Sequence, residues 1–346
     1  MTESVAELAR RLRGADAGGW TTEGARALVA GLGWTWQDSG AGPVIGTGRA
    51  EGDARLRPVG SIEERYAGGE TYLELAVPVR PAEPDAVSQA AAFRAVREEL
   101  TAALGAPSIM GVHGDLGPFY GSGPLWGTPF VRWRDRPDTL ELRAGKTGPE
   151  LVLQPTDPVE NWFWRQGVGE EHSLTGFFGS RNDASNAGLG FPGGWYAQSW
   201  ETVTRALADF LDTLPAETTA LGTSLGMPVY GRLAEGGAPI LFDIACQDRL
   251  SLGCFASDAV DPAALGWGTV AEHPGTGELW PDEDDPRWRI DAGGPGEPKG
   301  RALAETLVAT ARAAGVSTPA DLIVGGEATY MGGYHVTFYG LGLKTG

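Results

Sequence analysis

Histidine is the side chain best suited to proton transfer or metal ligation near neutral pH, and this chain has four of them. His113 lies two positions before Asp115, a spacing at which a carboxylate can orient an imidazole, but no nucleophile or third ligand stands nearby. His172 follows Glu170-Glu171 and precedes Ser173, a string able to meet a cation. His273 precedes Pro274. His335 adjoins Tyr334, with Tyr330 expected across a Gly332-Gly333 turn. Because the four are far apart in sequence, a shared metal site would depend wholly on folding, and no metal or cofactor is expected. An uncharacterised, hydrolase-like enzyme using His113 and Asp115, or His335, is the alternative to a binding role.

Three motifs imitate known chemistry. Gly222-Thr-Ser-Leu-Gly226 has the Gly-x-Ser-x-Gly pattern, which activates Ser224 only on a strand-to-helix elbow; here a strand is expected to follow. Gly293-Gly-Pro-Gly-Glu-Pro-Lys-Gly300 opens a helix but lacks the Gly-Lys-Ser/Thr ending, and its prolines remove amides that would hold a phosphate. Asp282-Glu-Asp-Asp285 lacks the alternating ligands of a calcium loop, and is read as a solvated loop or a lure for a basic partner. Cys246 and Cys254 flank an expected turn and are placed as neighbours across a hairpin, without a CxxC pattern or a histidine at ligand spacing. The richest aromatic groups are Trp162-Phe-Trp164 and Trp195-Tyr196 with Trp200, suited to a core, a protein-binding hot spot or a sugar platform.

Composition sets the bounds. A formal charge of −18 disfavours nucleic acid and anionic membranes and favours a basic partner. Two cysteines in 346 residues form no disulfide framework and suit a reducing compartment. Neither a leader nor a run of 18 apolar residues is apparent, so a cytoplasmic, soluble protein is expected. Twelve tryptophans argue for a folded chain, and 53 glycines with 24 prolines for many loops.

The positioning elements follow from periodicity. Phe93, Val96, Leu100 and Leu104 recur at helical spacing, with Asp85 as cap and Gly105 as stop. Beyond them the period falls to two: Val131 and Trp133, Leu140 and Leu142, Leu151 and Leu153 define a meander turning at Asp135-Arg-Pro-Asp138. Earlier come helices at 3–13 and 22–32, strands near 34–36, 43–47 and 55–59, and a half-buried strand carrying Leu73, Leu75, Val77 and Val79. Residues 105–128 and 155–198 read as long loops. A helix at 199–214 is expected to end at Pro215, followed by strands at 228–233, 240–246 and 250–256. A helix at 299–314 and strands at 322–324, 327–330 and 334–341 close the chain.

The expected fold is α+β: two tandem helix-on-antiparallel-sheet domains, each ordered helix, three strands, helix, two strands. The domains are residues 1–160 and 199–346, joined by an aromatic linker at 161–198, with an acidic insertion at 258–298.

Leu28-Val-Ala-Gly-Leu-Gly-Trp-Thr-Trp36, followed by Phe130-Val-Arg-Trp-Arg134 and Thr139-Leu-Glu-Leu-Arg143, resembles an uncharacterised family of high-GC Gram-positive bacteria. In that family a Leu-Gly-Trp element precedes the sheet and a Trp-bearing hairpin follows the long helix. The resemblance covers about residues 5–155 and extends to type III secretion chaperone-like and immunity-protein domains. It implies a non-enzymatic binding protein and brings no functional residues. The resulting expectation is an immunity or chaperone-like protein that occludes a basic partner such as a toxin. Its contacts would come from Trp162, Trp164, Trp195, Asp282, Glu283, Asp284 and Asp285; a carbohydrate-binding module is the weaker alternative.

Overall fold

Asp85 accepts the Ser88 amide at 2.9 Å and starts α3 (Ala86–Leu104), and Gly105 (φ 86°) ends it. Ser4 and Glu7 form a reciprocal capping box on α1 (Val5–Arg13), and Thr21 caps α2 (Thr22–Gly31). The computed structural model describes residues 3–40, 42–60, 64, 67–112, 128–145, 148–165, 177–182, 196–234, 236–256, 259–269, 272, 288–297, 299–325, 330–331 and 334–345. Its class is α+β, with two sheets dominated by antiparallel pairing.

The first sheet is assembled from β1 (Thr35–Gln37), β2 (Val44–Gly46), β3 (Ala54–Pro58), β4 (Tyr72–Pro78), β5 (Ile109–Val112), β6 (Pro129–Trp133), β7 (Asp138–Gly145), β8 (Gly148–Pro155), β9 (Phe178–Arg181), β16 (Tyr330–Met331) and β17 (Tyr334–Phe338). Their spatial order is β1-β2-β3-β4-β8-β7-β6-β5-β9-β17-β16. The second contains β10 (Leu225–Gly231), β11 (Ile240–Cys246), β12 (Leu250–Cys254), β13 (Gly268–Thr269), β14 (Trp288–Gly293), β15 (Leu322–Val324) and β18 (Lys344–Thr345), ordered β13-β14-β12-β11-β10-β15-β18. Helices α4 (Thr156–Arg165), α5 (Trp200–Leu221) and α6 (Gly300–Ala313) complete the description.

Alternation along the strands becomes rows across the sheet. Leu56, Leu75, Leu153, Leu140 and Trp133 face one another in successive strands, and α1, α3 and α5 lie against this sheet. Helix α5 also packs on β11 and β12 of the second sheet, and α6 packs on α5 and β11. One buried core runs from Leu8 and Leu12 through Phe93, Phe210 and Ile244 to Leu341. Although β9, β16 and β17 come from residues beyond 160, they complete the sheet begun by residues before it.

Several expectations need correction. Residues 105–128 and 155–198 are not wholly loops, since β5, α4 and β9 form within them. β4 is buried on both faces, not one, and all of its residues are enclosed. The acidic insertion contributes β13 and β14 to the second sheet. Pro215 does not end α5, which runs on to Leu221. Proline removes one amide donor, a penalty of roughly 3 kcal/mol in a helix interior. Burial of Leu214, Ala216, Thr218, Ala220 and Leu221 outweighs it, and the Thr218 hydroxyl donates to Leu214 O at 2.9 Å. Cys246 and Cys254 are free, buried and not cross-strand neighbours. Cys246 faces Leu250 and Cys254 faces Phe242, four residues or ~13 Å apart along a strand. The tight turn makes adjacent strands, but register keeps the thiols at opposite ends.

The α5–α6 crossing depends on Gly300. A Cβ there would lie 2.0 Å from Ala208 O, and the Gly300 amide donates to Asp212 Oδ1 at 2.6 Å. Gly300→Ala should therefore lower stability by about 1–3 kcal/mol, as overpacking does. A urea titration of both proteins measures this; an unchanged midpoint would show that the helices part freely.

Candidate functional site

Trp162 and Trp164 fall in α4, but their side chains, like Trp195, Asp282, Glu283, Asp284 and Asp285, lie outside the described residues. So do His113, Asp115, His172 and His273. His335 is described: it sits in β17, half-buried, registered between Tyr330 of β16 and Arg181 of β9. Among the described residues no group of three or more His, Cys, Asp or Glu side chains is placed to hold a metal ion.

The motif residues have structural explanations. Gly222 caps α5 in the left-handed conformation (φ 58°), and Ser224 leads into β10, so the chain passes from helix to strand. That is the reverse of a nucleophile elbow. At Lys299-Gly300 the helix N-terminus is already filled by the Asp212 carboxylate, which occupies the place an incoming phosphate would need.

Two charged regions emerge from the fold. The first is the face of the large sheet opposite the apolar rows. There Arg55, Ala76, Val152, Glu141, Arg132, Ile109, Arg181 and His335 follow one another across adjacent strands. Arg143 grips Glu74 through two bonds of 2.7 and 3.0 Å and approaches Glu150 at 3.7 Å. Arg57 reaches Glu74 at 3.4 Å, Arg55 reaches Glu150, and Arg132 reaches Glu141. Burial pushes the Glu74 carboxyl up, but the positive charges of Arg143 and Arg57 outweigh it and hold the group below its ordinary value. Burial likewise works against the Arg143 charge, and its carboxylate neighbours overcome it, raising the value. Here each carboxylate answers a guanidinium of a neighbouring strand, so the network fixes register and has little charge left to offer a ligand.

The second region is a surface cleft of about 200 Å³ between the end of α1 and the β6–β7 turn. One wall is Arg13, Gly14, Ala15 and Asp16; the other is Asp135, Arg136, Pro137 and Asp138. Gly14 ends α1, its amide donating to Arg10 O at 3.1 Å, and the Arg136–Pro137 bond is cis. The turn is tied to α4 through the Thr156 amide, which donates to Pro137 O at 2.9 Å. The indole of Trp20 donates to Asp138 Oδ1 at 2.7 Å, and the Gly18 amide donates to Asp16 Oδ1 at 2.8 Å. Partial burial raises the Asp138 carboxyl, the Trp20 bond counteracts it, and the Asp16 charge adds to the rise. A carboxylate destabilised in this way gains from any cation brought beside it. Arg13 reaches across the cleft to Asp135 of the opposite wall at 3.7 Å, and Arg136 pairs with Asp157 at 3.0 Å. The cleft is smaller than the 300–1,000 Å³ usual for small-molecule pockets, and suits the head of one cationic side chain.

In the sequence, Asp135 to Asp138 reads only as a turn. Nothing in the sequence joins it to Asp16, more than a hundred positions earlier; only α1 lying against β7 brings them together.

The network makes a clear prediction. Arg143→Met should destabilise the protein by about 3 kcal/mol at pH 7, because two buried carboxylates lose a partner. Glu74 has a lowered value when folded, so its pairing contributes fully above the unfolded value and is lost as the pH falls through the folded one. Urea titrations at pH 7 and pH 3.5 should therefore show the gap between wild type and variant closing in acid; a gap that widens would contradict the account.

Neither a protein-family model, nor a curated protein, nor a solved structure matches the chain.

Proposed function

We propose that this protein is a non-enzymatic binding module that engages a basic protein partner, in the manner of an immunity or chaperone-like protein. The observation that carries the reading is the Asp16–Asp138 cleft, where burial and the Asp16 charge disfavour the charge on Asp138 while Arg13 and Arg136 are paired with Asp135 and Asp157. An arginine or lysine head from a partner relieves that repulsion. The excess of 45 acidic over 27 basic side chains supports the same direction, since a net negative field speeds encounter with a positive surface.

Occlusion is the mechanism that follows: the partner's cationic group is held and its surface covered, without bond cleavage. The aromatic segment around Trp162 and Trp164 and the acidic run from Asp282 to Asp285 are proposed to add contact area and steering.

The test is affinity capture from a lysate of the encoding organism at low salt, with wild type and an Asp16→Asn/Asp138→Asn double variant as bait. A basic protein should be enriched on the wild type, and its affinity for the variant should fall about tenfold, since 1.4 kcal/mol is a tenfold change. Raising the salt should weaken the wild-type complex. Capture of no basic partner, or equal affinity for both baits, overturns the reading.

A further inference from the structure

The most unusual buried group is Glu217. It sits in the last two turns of α5, is 1% exposed, and its Oε2 has no hydrogen-bond partner. Helix α5 as a whole packs on β5 and β6 of the first sheet and on β11 and β12 of the second. Unlike Glu74 and Glu150, it has no guanidinium beside it.

Its surroundings hold little that could stabilise a charge. On α5 itself the Thr213 hydroxyl stands one turn earlier, and Thr218 is already committed to Leu214 O and to Cys246 Sγ at 3.3 Å. From β11 comes Cys246, whose thiol is pushed up to about 12 by burial, with Glu217 and Asp248 adding to the rise. From the segment after β17 comes Tyr339, whose hydroxyl lies 2.9 Å from Phe178 O and 3.0 Å from Val112 O and which also feels the Glu217 charge. Arg132 of β6 and Arg181 of β9 act on Tyr339, not on Glu217. β5 carries no titratable side chain, and β12 only Cys254, four residues from the position facing Cys246. On α3, Arg97 lies against Gly222, five residues beyond Glu217 at the same end of α5, and does not act on the Glu217 carboxyl, while the α6 charges Arg301, Glu305 and Arg312 are exposed.

We propose that Glu217 is a proton-operated latch between α5 and the second sheet: neutral, it lets the helix stay packed between both sheets; ionised, it loosens the β11 side and admits solvent to Cys246. Two physical facts give the latch its sign. Burial raises the carboxyl to about 8, with the Thr213 hydroxyl opposing weakly, whereas in an opened, hydrated state the group returns to its ordinary value of 4.5. Opening therefore becomes easier with rising pH between those two values, by up to tenfold per pH unit, and levels off above the upper one. Opening on the side of the second sheet reaches Cys246 directly, because Thr218, the residue after Glu217 in α5, lies against its thiol at 3.3 Å.

Cys246 is the built-in reporter. Wild type and Glu217→Gln are treated with a maleimide from pH 6 to pH 9, and labelling of Cys246 and Cys254 is followed separately by peptide mass spectrometry. Each rate is divided by that of glutathione at the same pH, which removes the reagent's own pH dependence. The wild-type rate at Cys246 should rise at least tenfold between pH 6 and pH 8 and then flatten, while the Gln variant stays within twofold. Should the Gln variant fail to fold, Glu217→Leu takes its place. A flat wild-type profile, a rise confined to Cys254, or an equal rise in the variant overturns the proposal.

Discussion

Burial of α5 is the constraint on which the rest of the molecule depends. It meets β5 and β6 of the first sheet, β11 and β12 of the second, and α3 and α6 beside it. A buried aliphatic or aromatic side chain contributes about 1.5–3 kcal/mol, and α5 buries Val203, Leu207, Phe210, Leu211, Leu214 and Leu221. That total explains why the helix tolerates Pro215 and a carboxyl group with an unmet oxygen. It also explains the bare Gly300 at the crossing, where backbone approaches backbone too closely for any side chain.

The large sheet separates two kinds of electrostatics. Its apolar rows receive the helices, while its other face carries arginines and glutamates that pair with one another across strands. Charges paired in this way resist strand slippage, because a one-residue shift would turn every guanidinium to the wrong face. They are poor recognition groups for the same reason. Asp16 and Asp138 differ: their partners are an amide and an indole, neutral donors that orient the carboxylates without cancelling them.

Much of the fold was legible wherever local chemistry and periodicity agreed. Asp85 and Gly105 bound α3, and Leu140, Leu142, Leu151 and Leu153 mark β7 and β8, because caps and alternation act over a few residues. β5 and β9 were illegible. Ile109-Met-Gly-Val112 and Phe178-Gly-Ser-Arg181 are short and broken by glycine, and become strands only because Gly111 and Gly179 face each other across a close pair. The turn at 247–249 makes the strands of Cys246 and Cys254 adjacent, but register, set by the whole hydrophobic face, pairs the thiols with Leu250 and Phe242 instead.

By itself the sequence determined the class of structure, most helix and strand positions and the sign of the surface charge, all of which rest on spacing and composition. Only the tertiary structure decided where α5 ends, that strands from the far end of the chain complete the first sheet, and which carboxylates keep their charge available. Those outcomes depend on what each residue meets across the core, and contacts such as Asp16 beside Asp138 or Glu217 near Tyr339 join positions more than a hundred residues apart.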